Sequence, residues 1–140
     1  MLFVCVANSC RSQMAEAFAA AIGGSGWEVW SAGSSPSGQV HPVAIRAMQE
    51  LGYDLRTHRS RGLADVPQRT WDYVVTMGCG DHCPSIQARH RLEWAIPDPV
   101  GLPFEHARRI RDEMASLVRT LWAQVISEAA GRVSHSETRD

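Results

Sequence analysis

An α/β fold on a parallel sheet is what this 140-residue sequence predicts, and three observations predict it. Short apolar runs rich in β-branched and aromatic residues alternate with longer stretches of helical period. The first run, residues 2–6, is apolar throughout, as a strand buried on both faces is. Turn-forming glycine and proline fall at the junctions, and no linker, repeat or low-complexity stretch divides the chain. One domain over residues 1–130 follows, with residues 131–140 expected to form a disordered tail because they carry almost no apolar side chains.

The elements can be taken in order. Leu2-Phe3-Val4-Cys5-Val6 is the expected central strand, and the small polar residues 7–12 after it form a loop. Met14, Ala17, Phe18, Ala21 and Ile22 then share one helical face, and Gly23-Gly24 stops that helix. A second strand is expected over residues 27–32, followed by the turn-rich residues 33–38. Pro42 opens a second helix with Ala44, Ala47, Met48 and Leu51 as its apolar stripe, and Gly52 closes it. Leu55, Leu63 and Val66 suggest one short helix within residues 53–70. Residues 71–77 and 92–96 are the expected third and fourth strands, the latter ended by Pro97-Asp98-Pro99. The last helix is expected from Phe104 to Ala129, burying Ala107, Ile110, Met114, Leu117, Leu121 and Val125. Of the tryptophans, Trp27, Trp30 and Trp71 are expected to serve core packing, and Trp122 to be partly exposed.

Composition narrows the functional classes. Hydrophobic residues make up 44% and charged residues 21% of the chain, an ordinary globular balance. A net charge of -1 gives no reason to expect nucleic acid or an anionic membrane as partner. No apolar run approaches the roughly 18 residues of a membrane span, and no charged leader precedes the first strand, so a cytoplasmic protein is expected. Four cysteines in a reducing compartment are read as catalytic, redox or metal-binding rather than as structural bridges.

Chemistry concentrates between the first strand and the first helix. Ligands of open parallel sheets bind at the carboxyl ends of the strands. Here Val6, Ala7, Asn8, Ser9, Cys10, Arg11 and Ser12 lead straight into a helix N-terminus, where free N–H groups and the helix dipole favour an anion. Arg11 adds a planar fork matched to two oxygens of a tetrahedral oxyanion. Cys5 stands at the head of the loop in the same positive field, which favours the nucleophilic thiolate. Ser12 can donate a hydrogen bond to that thiolate, and Asn8 can brace the loop. A lone strand cysteine is commonly an inert core residue, but Cys-x5-Arg-Ser between a strand and an amphipathic helix is a nucleophile's setting.

The run from Phe3 to Glu16, Phe-Val-Cys-Val-Ala-Asn-Ser-Cys-Arg-Ser-Gln-Met-Ala-Glu, resembles the signature of the low-molecular-weight protein tyrosine phosphatase superfamily. It is most similar to the arsenate reductases built on that fold, and the resemblance extends to the last helix. It implies a phosphotyrosine phosphatase I-like three-layer sandwich, with a four-stranded parallel sheet and helices on both faces. It further implies Cys5 as nucleophile, Arg11 as oxyanion clamp, and Asp98 of Asp98-Pro99 as the general acid.

Arsenate and phosphate are near isosteres, so one loop can serve a phosphatase or a reductase, with phosphate and sulfate as substrate analogues. A reductase needs further thiols, and Cys79 and Cys83 offer a pair within Gly78-Cys79-Gly80-Asp81-His82-Cys83-Pro84. Residues four apart in a helical turn come within disulfide range. In the thioredoxin-coupled arsenate reductases a cysteine pair at this point relays electrons, which implies the same for Cys79 and Cys83. Their spacing is shorter than in the best-known members of that group. Reductases that draw on mycothiol and mycoredoxin, or on glutathione through glutaredoxin, share the Gly-Cys-Gly-Asp-x-Cys-Pro form, whereas Ser9-Cys10 resembles the thioredoxin group. The expected reductant is therefore external thioredoxin or another thiol donor, with no bound cofactor. Cys10 is expected to be dispensable and open to off-pathway oxidation.

Two alternatives stay open. One is a phosphatase for aryl or protein phosphotyrosine esters, although the two aromatic residues that rim such pockets are not evident. Another is an idle thiol or zinc-binding regulator using Cys79, His82, Cys83 and His90, for which no second cysteine pair is available. Some superfamily members hold potassium through an acidic side chain in the segment corresponding to residues 58–61. Arginines stand here, and no metal is expected.

Overall fold

The computed structural model describes residues 1–23, 26–78 and 86–137, with residues 132–137 described as backbone only. Four parallel strands, β1 (Leu2–Cys5), β2 (Trp30–Gly33), β3 (Trp71–Thr76) and β4 (Ala88–Glu93), form one sheet in the order β2-β1-β3-β4. The expected parallel sheet is present and β1 is central, with Leu2 opposite Trp30 on one side and Val74 on the other. Every residue of β1 is buried. Its side chains alternate: Phe3 and Cys5 join one core, Leu2 and Val4 the other.

Three helices, α1 (Arg11–Gly23), α2 (Pro42–Gln49) and α3 (Phe104–Glu137), share the first core with Phe3, Tyr73 and Val75. The opposite face is thinner. A 3₁₀ turn at Leu63–Asp65 and the neighbouring Val66 and Ile86 cover Leu2, Val4 and Val74 there. The short helix expected within residues 53–70 is only this turn, while the chain from Tyr53 to Arg61 runs behind the Cys5 loop.

Several expected boundaries move. β4 begins at Ala88 rather than Leu92 and ends before Trp94. Its alternation of half-buried Ala88, His90 and Leu92 with exposed Arg89, Arg91 and Glu93 is that of an edge strand, where one side remains wet. β2, at the other edge, starts at Trp30 rather than Trp27. Leu51 is exposed beyond the end of α2, and Gly52 makes the turn there with φ +86°. At the distal end of α1, Ala21 and Ile22 face outward although the stripe of Met14, Ala17 and Phe18 is buried as expected. α3 continues through Glu137 instead of stopping near Ala129, so helical backbone replaces most of the tail expected over residues 131–140.

Trp122 is buried, not partly exposed. Its ring meets Trp27 edge-on at 5.5 Å, and its indole N–H donates to the Ala19 carbonyl at 3.2 Å. Gly23 makes room for it, because a Cβ at that position would overlap the indole. The glycine that reads in the sequence as a helix stop is thus also half of the α1–α3 contact. Trp122→Ala would empty this slot and is expected to cost about 3–5 kcal/mol of stability. Urea denaturation should show a lower midpoint at an unchanged slope.

Candidate active site

The loop that follows Cys5, the last residue of β1, meets the end of β2 at Gly33, and its Arg11 meets Gly78 just past β3 and Ile96 just past β4. The loop's conformation is set largely by where its carbonyls go. The carbonyls of Cys5, Val6 and Ala7 accept from the N–H groups of Ser34, Ser35 and Ser37, at 3.2, 2.8 and 3.0 Å. Ala7 also takes the Ser60 hydroxyl at 2.8 Å. The Asn8 carbonyl accepts from the Gln13 side chain, that of Ser9 from His41 N–H, and that of Cys10 from Met14 N–H. Every carbonyl from Cys5 to Cys10 is therefore engaged on the outside of the loop. Among the described residues, no amide from Val6 to Arg11 has an acceptor. A ring of N–H groups left without partners, opening onto a helix N-terminus, is a nest for an anion.

Two glycines make this closeness possible. A Cβ on Gly33 would lie 2.5 Å from the Val6 carbonyl oxygen and 2.9 Å from the Asn8 nitrogen, so the end of β2 must be bare. Gly78, with φ +69°, lies against the Arg11 guanidinium, which a Cβ there would strike. Arg11 is itself buried, and its Nη1 donates to the Ile96 carbonyl at 3.0 Å. That bond ties the loop to the segment carrying Asp98. Asp98 is exposed, and its Oδ1 accepts from Val100 N–H at 3.1 Å in a local turn.

Cys5 is buried, with its sulfur 2.9 Å from the Ser12 hydroxyl. Asn8, the one non-glycine residue with positive φ among those described (+48°), donates through Nδ2 to the same hydroxyl at 2.7 Å. Asparagine tolerates this left-handed conformation better than most residues. Cys10 is a different kind of thiol. Burial above all, then the charges of Asp98 and Cys5, push it up to about 12, against an opposing pull from Arg11. It therefore remains protonated at neutral pH. Because its thiol is raised above the ordinary cysteine value of 9.0, its contribution to stability is present below that pH and lost as pH rises toward about 12. The off-pathway oxidation expected at Cys10 would require the loop to open. Iodoacetamide at pH 8 followed by peptide mapping should label Cys10 at least ~100-fold more slowly than Cys5.

Of the expected site residues, hydrogen bonds bring Cys5, Ser12 and Asn8 together, Val6, Ala7, Ser9 and Cys10 share their loop, and Arg11 reaches across to Ile96. Cys79 and Cys83, with His82, lie outside the described residues. His90, named in the zinc alternative, stacks on Tyr73 at 4.6 Å between ring centres and pairs with Glu128. In the segment 58–61, Arg61 and His58 both meet Glu16, at 3.2 and 3.4 Å. The contributions of Gly33, Gly78, Ile96 and Gln13 were missed. Only Gln13, inside the signature run, could have been suspected.

The family described as low molecular weight phosphotyrosine protein phosphatase matches residues 1–130. The chain belongs to that family. Its sequence is 41% identical over 116 residues to an arsenate reductase of Staphylococcus aureus (strain Newman), covering 80% of this chain and 87% of that one. Among solved structures, an arsenate reductase in its phosphate-binding state superposes with a TM-score of 0.80 at 36% identity, covering 88% of this chain and 95% of that one. A thioredoxin-dependent arsenate reductase from Corynebacterium glutamicum gives 0.75 at 35% identity, covering 91% of this chain and 61% of the other. The phosphatase-type α/β fold implied by the signature run, a four-stranded parallel sheet with helices, is therefore the fold of this chain, although among the described residues α1, α2 and α3 all pack on one face of the sheet rather than on both.

Proposed function

We propose that this family member reduces arsenate to arsenite, using Cys5 as the nucleophile. The observation that carries the reading is the loop after Cys5: a buried sulfur at the end of a central strand, hydrogen-bonded to Ser12, followed by loop amides without acceptors among the described residues and by a buried Arg11. Such a nest suits a tetrahedral oxyanion of the size of arsenate or phosphate. The named activity of the relatives selects reduction from the two chemistries this loop can serve. A low-molecular-weight phosphatase for aryl or protein phosphotyrosine esters is the second reading, favoured by the family's description.

The reaction runs in three exchanges. The Cys5 thiolate attacks arsenic, one oxygen leaves as water with a proton from Asp98, and a sulfur–arsenic bond forms. The Cys79 thiolate then attacks the Cys5 sulfur. As the new disulfide forms, the sulfur–arsenic electron pair passes to arsenic, which departs as arsenite two electrons richer. Cys83 attacks Cys79 in turn, returning Cys5 as thiolate and leaving a Cys79–Cys83 disulfide for an external dithiol. Thioredoxin is that dithiol in this reading, with mycothiol and mycoredoxin or glutaredoxin as alternative donors. The scheme calls for no bound cofactor. It belongs in the cytoplasm, where free thiols persist. Among the described residues no helix is long and apolar enough to cross a membrane.

NADPH oxidation with thioredoxin, thioredoxin reductase and arsenate tests the scheme. Turnover that requires arsenate and is lost in both Cys79→Ser and Cys83→Ser is the expected result. Turnover only with a mycothiol or glutaredoxin system would change the donor and keep the reductase. Hydrolysis of an aryl phosphate without reduction by any donor would replace the reductase with a phosphatase.

A further inference from the structure

Gln13 lies one residue past Ser12 on α1 and is fully buried, yet its side chain reaches neither Cys5 nor the nest. Its amide is saturated instead. Nε2 donates to the Asn8 carbonyl at 3.2 Å, to Asn8 Oδ1 at 2.9 Å and to the Arg59 carbonyl at 2.8 Å. Its Oε1 meets His58 Nδ1 at 3.2 Å. Three oxygens around one nitrogen leave no doubt which end of the amide is the donor.

Directionality then propagates. Asn8 Oδ1 receives two donors, Gln13 Nε2 and the backbone N–H of Arg61 at 2.7 Å. Asn8 must therefore turn its NH₂ toward Ser12, to whose hydroxyl oxygen it donates. With that oxygen accepting from Asn8, the Ser12 hydroxyl keeps its proton free to donate to the Cys5 sulfur when that is a thiolate. Were Asn8 turned the other way, its carbonyl would draw the Ser12 proton off, and the sulfur would lose its donor.

We propose that Gln13 is a positioning residue that sets the direction of the hydrogen-bond chain from Asn8 through Ser12 to Cys5, so that the chain ends in a donor to the sulfur. This rests on Cys5 being the nucleophile. A glutamine serves here because it carries a donor and an acceptor on adjacent atoms without charge. Glutamate is its isostere with the donor removed. In Gln13→Glu the carboxylate faces Asn8 Oδ1 and draws the Asn8 NH₂ toward residue 13, with the carbonyl taking the Ser12 proton, and only the Arg61 amide is left to hold the original direction.

The test is the rate of Cys5 alkylation by iodoacetamide, read by peptide mapping, at a pH on the acid limb of the wild-type rate profile, where thiolate limits the reaction. Gln13→Glu and Ser12→Ala should each slow it by about tenfold, the worth of one such hydrogen bond. The double variant should be no slower than the slower single variant, because both changes remove the same donor. Gln13→Met, which fills the site without either polar atom, should slow alkylation less, and its effect too should vanish on the Ser12→Ala background. It serves where Gln13→Glu does not fold. Wild-type alkylation in both Gln13 variants would overturn the proposal. So would effects of Gln13 and Ser12 that multiply in full, since Gln13 would then act only through general loop integrity. Alkylation needs neither arsenate nor a reductant, so a failure of the reductase reading would leave this result standing and separately legible.

Discussion

Cys5→Ser is expected to abolish arsenate-dependent turnover while leaving the oxyanion site able to bind. Serine is nearly the same size, and the surroundings of residue 5 do not depend on sulfur: its carbonyl is held by Ser34 and its strand pairs on both sides. The amides and Arg11 remain in place, so phosphate or arsenate should still bind within a few-fold of the wild-type affinity, which calorimetry would read. The chemistry has no substitute. An unactivated hydroxyl is a poor nucleophile, and a serine–arsenate ester offers Cys79 no sulfur to attack. The loss in kcat should be roughly 10⁴-fold or more, with only background thiol reduction surviving. Turnover within tenfold of wild type would remove Cys5 from the mechanism, and with it the reading of the whole nest.

Arg11→Lys carries the second largest expected effect, although it conserves charge. Arg11 has two tasks at once in this reading: Nη1 donates to the Ile96 carbonyl, and the remaining N–H groups of the fork serve the oxyanion. Gly78 has no Cβ, and one there would overlap Arg11 Nη1. A lysine ammonium is a single point of charge and cannot hold Ile96 and two oxyanion oxygens together. It would also draw strongly hydrated bulk into a buried site. The expected fall in kcat/KM for arsenate is about 10²–10³-fold, as for removal of one preorganised donor from an oxyanion site. Because Arg11 tethers the segment bearing Asp98, part of the loss should appear in kcat. A kcat/KM within about fivefold of wild type would mean that the amides alone hold the anion and that Arg11 is a structural tie.

The element types were legible because strand and helix periods are local properties of the chain. The misplaced boundaries fall where tertiary packing overrides them. β4 is an edge strand whose exposed Arg89, Arg91 and Glu93 disguise it, while the more apolar residues that follow it attracted the assignment. Trp122 reads as a surface residue until Gly23 and Trp27 supply a slot from elsewhere in the chain. The length of α3 is invisible to apolar periodicity because residues 131–137 carry almost no apolar side chains to mark a stripe.

Legible in the residues alone was the candidate chemistry: a thiol, a loop of small residues and an arginine within seven consecutive positions, between a strand and a helix. Those features are contiguous, so their spacing alone dictates that they meet. The tertiary structure decided which way the groups point. The loop carbonyls are taken by Ser34, Ser35, Ser37, Ser60 and His41, and Asn8 faces Ser12 because Gln13 Nε2 and the Arg61 amide, 53 residues away, share its oxygen. Hydrogen-bond direction depends on partners brought together by the fold, and no reading of neighbouring residues could have supplied it.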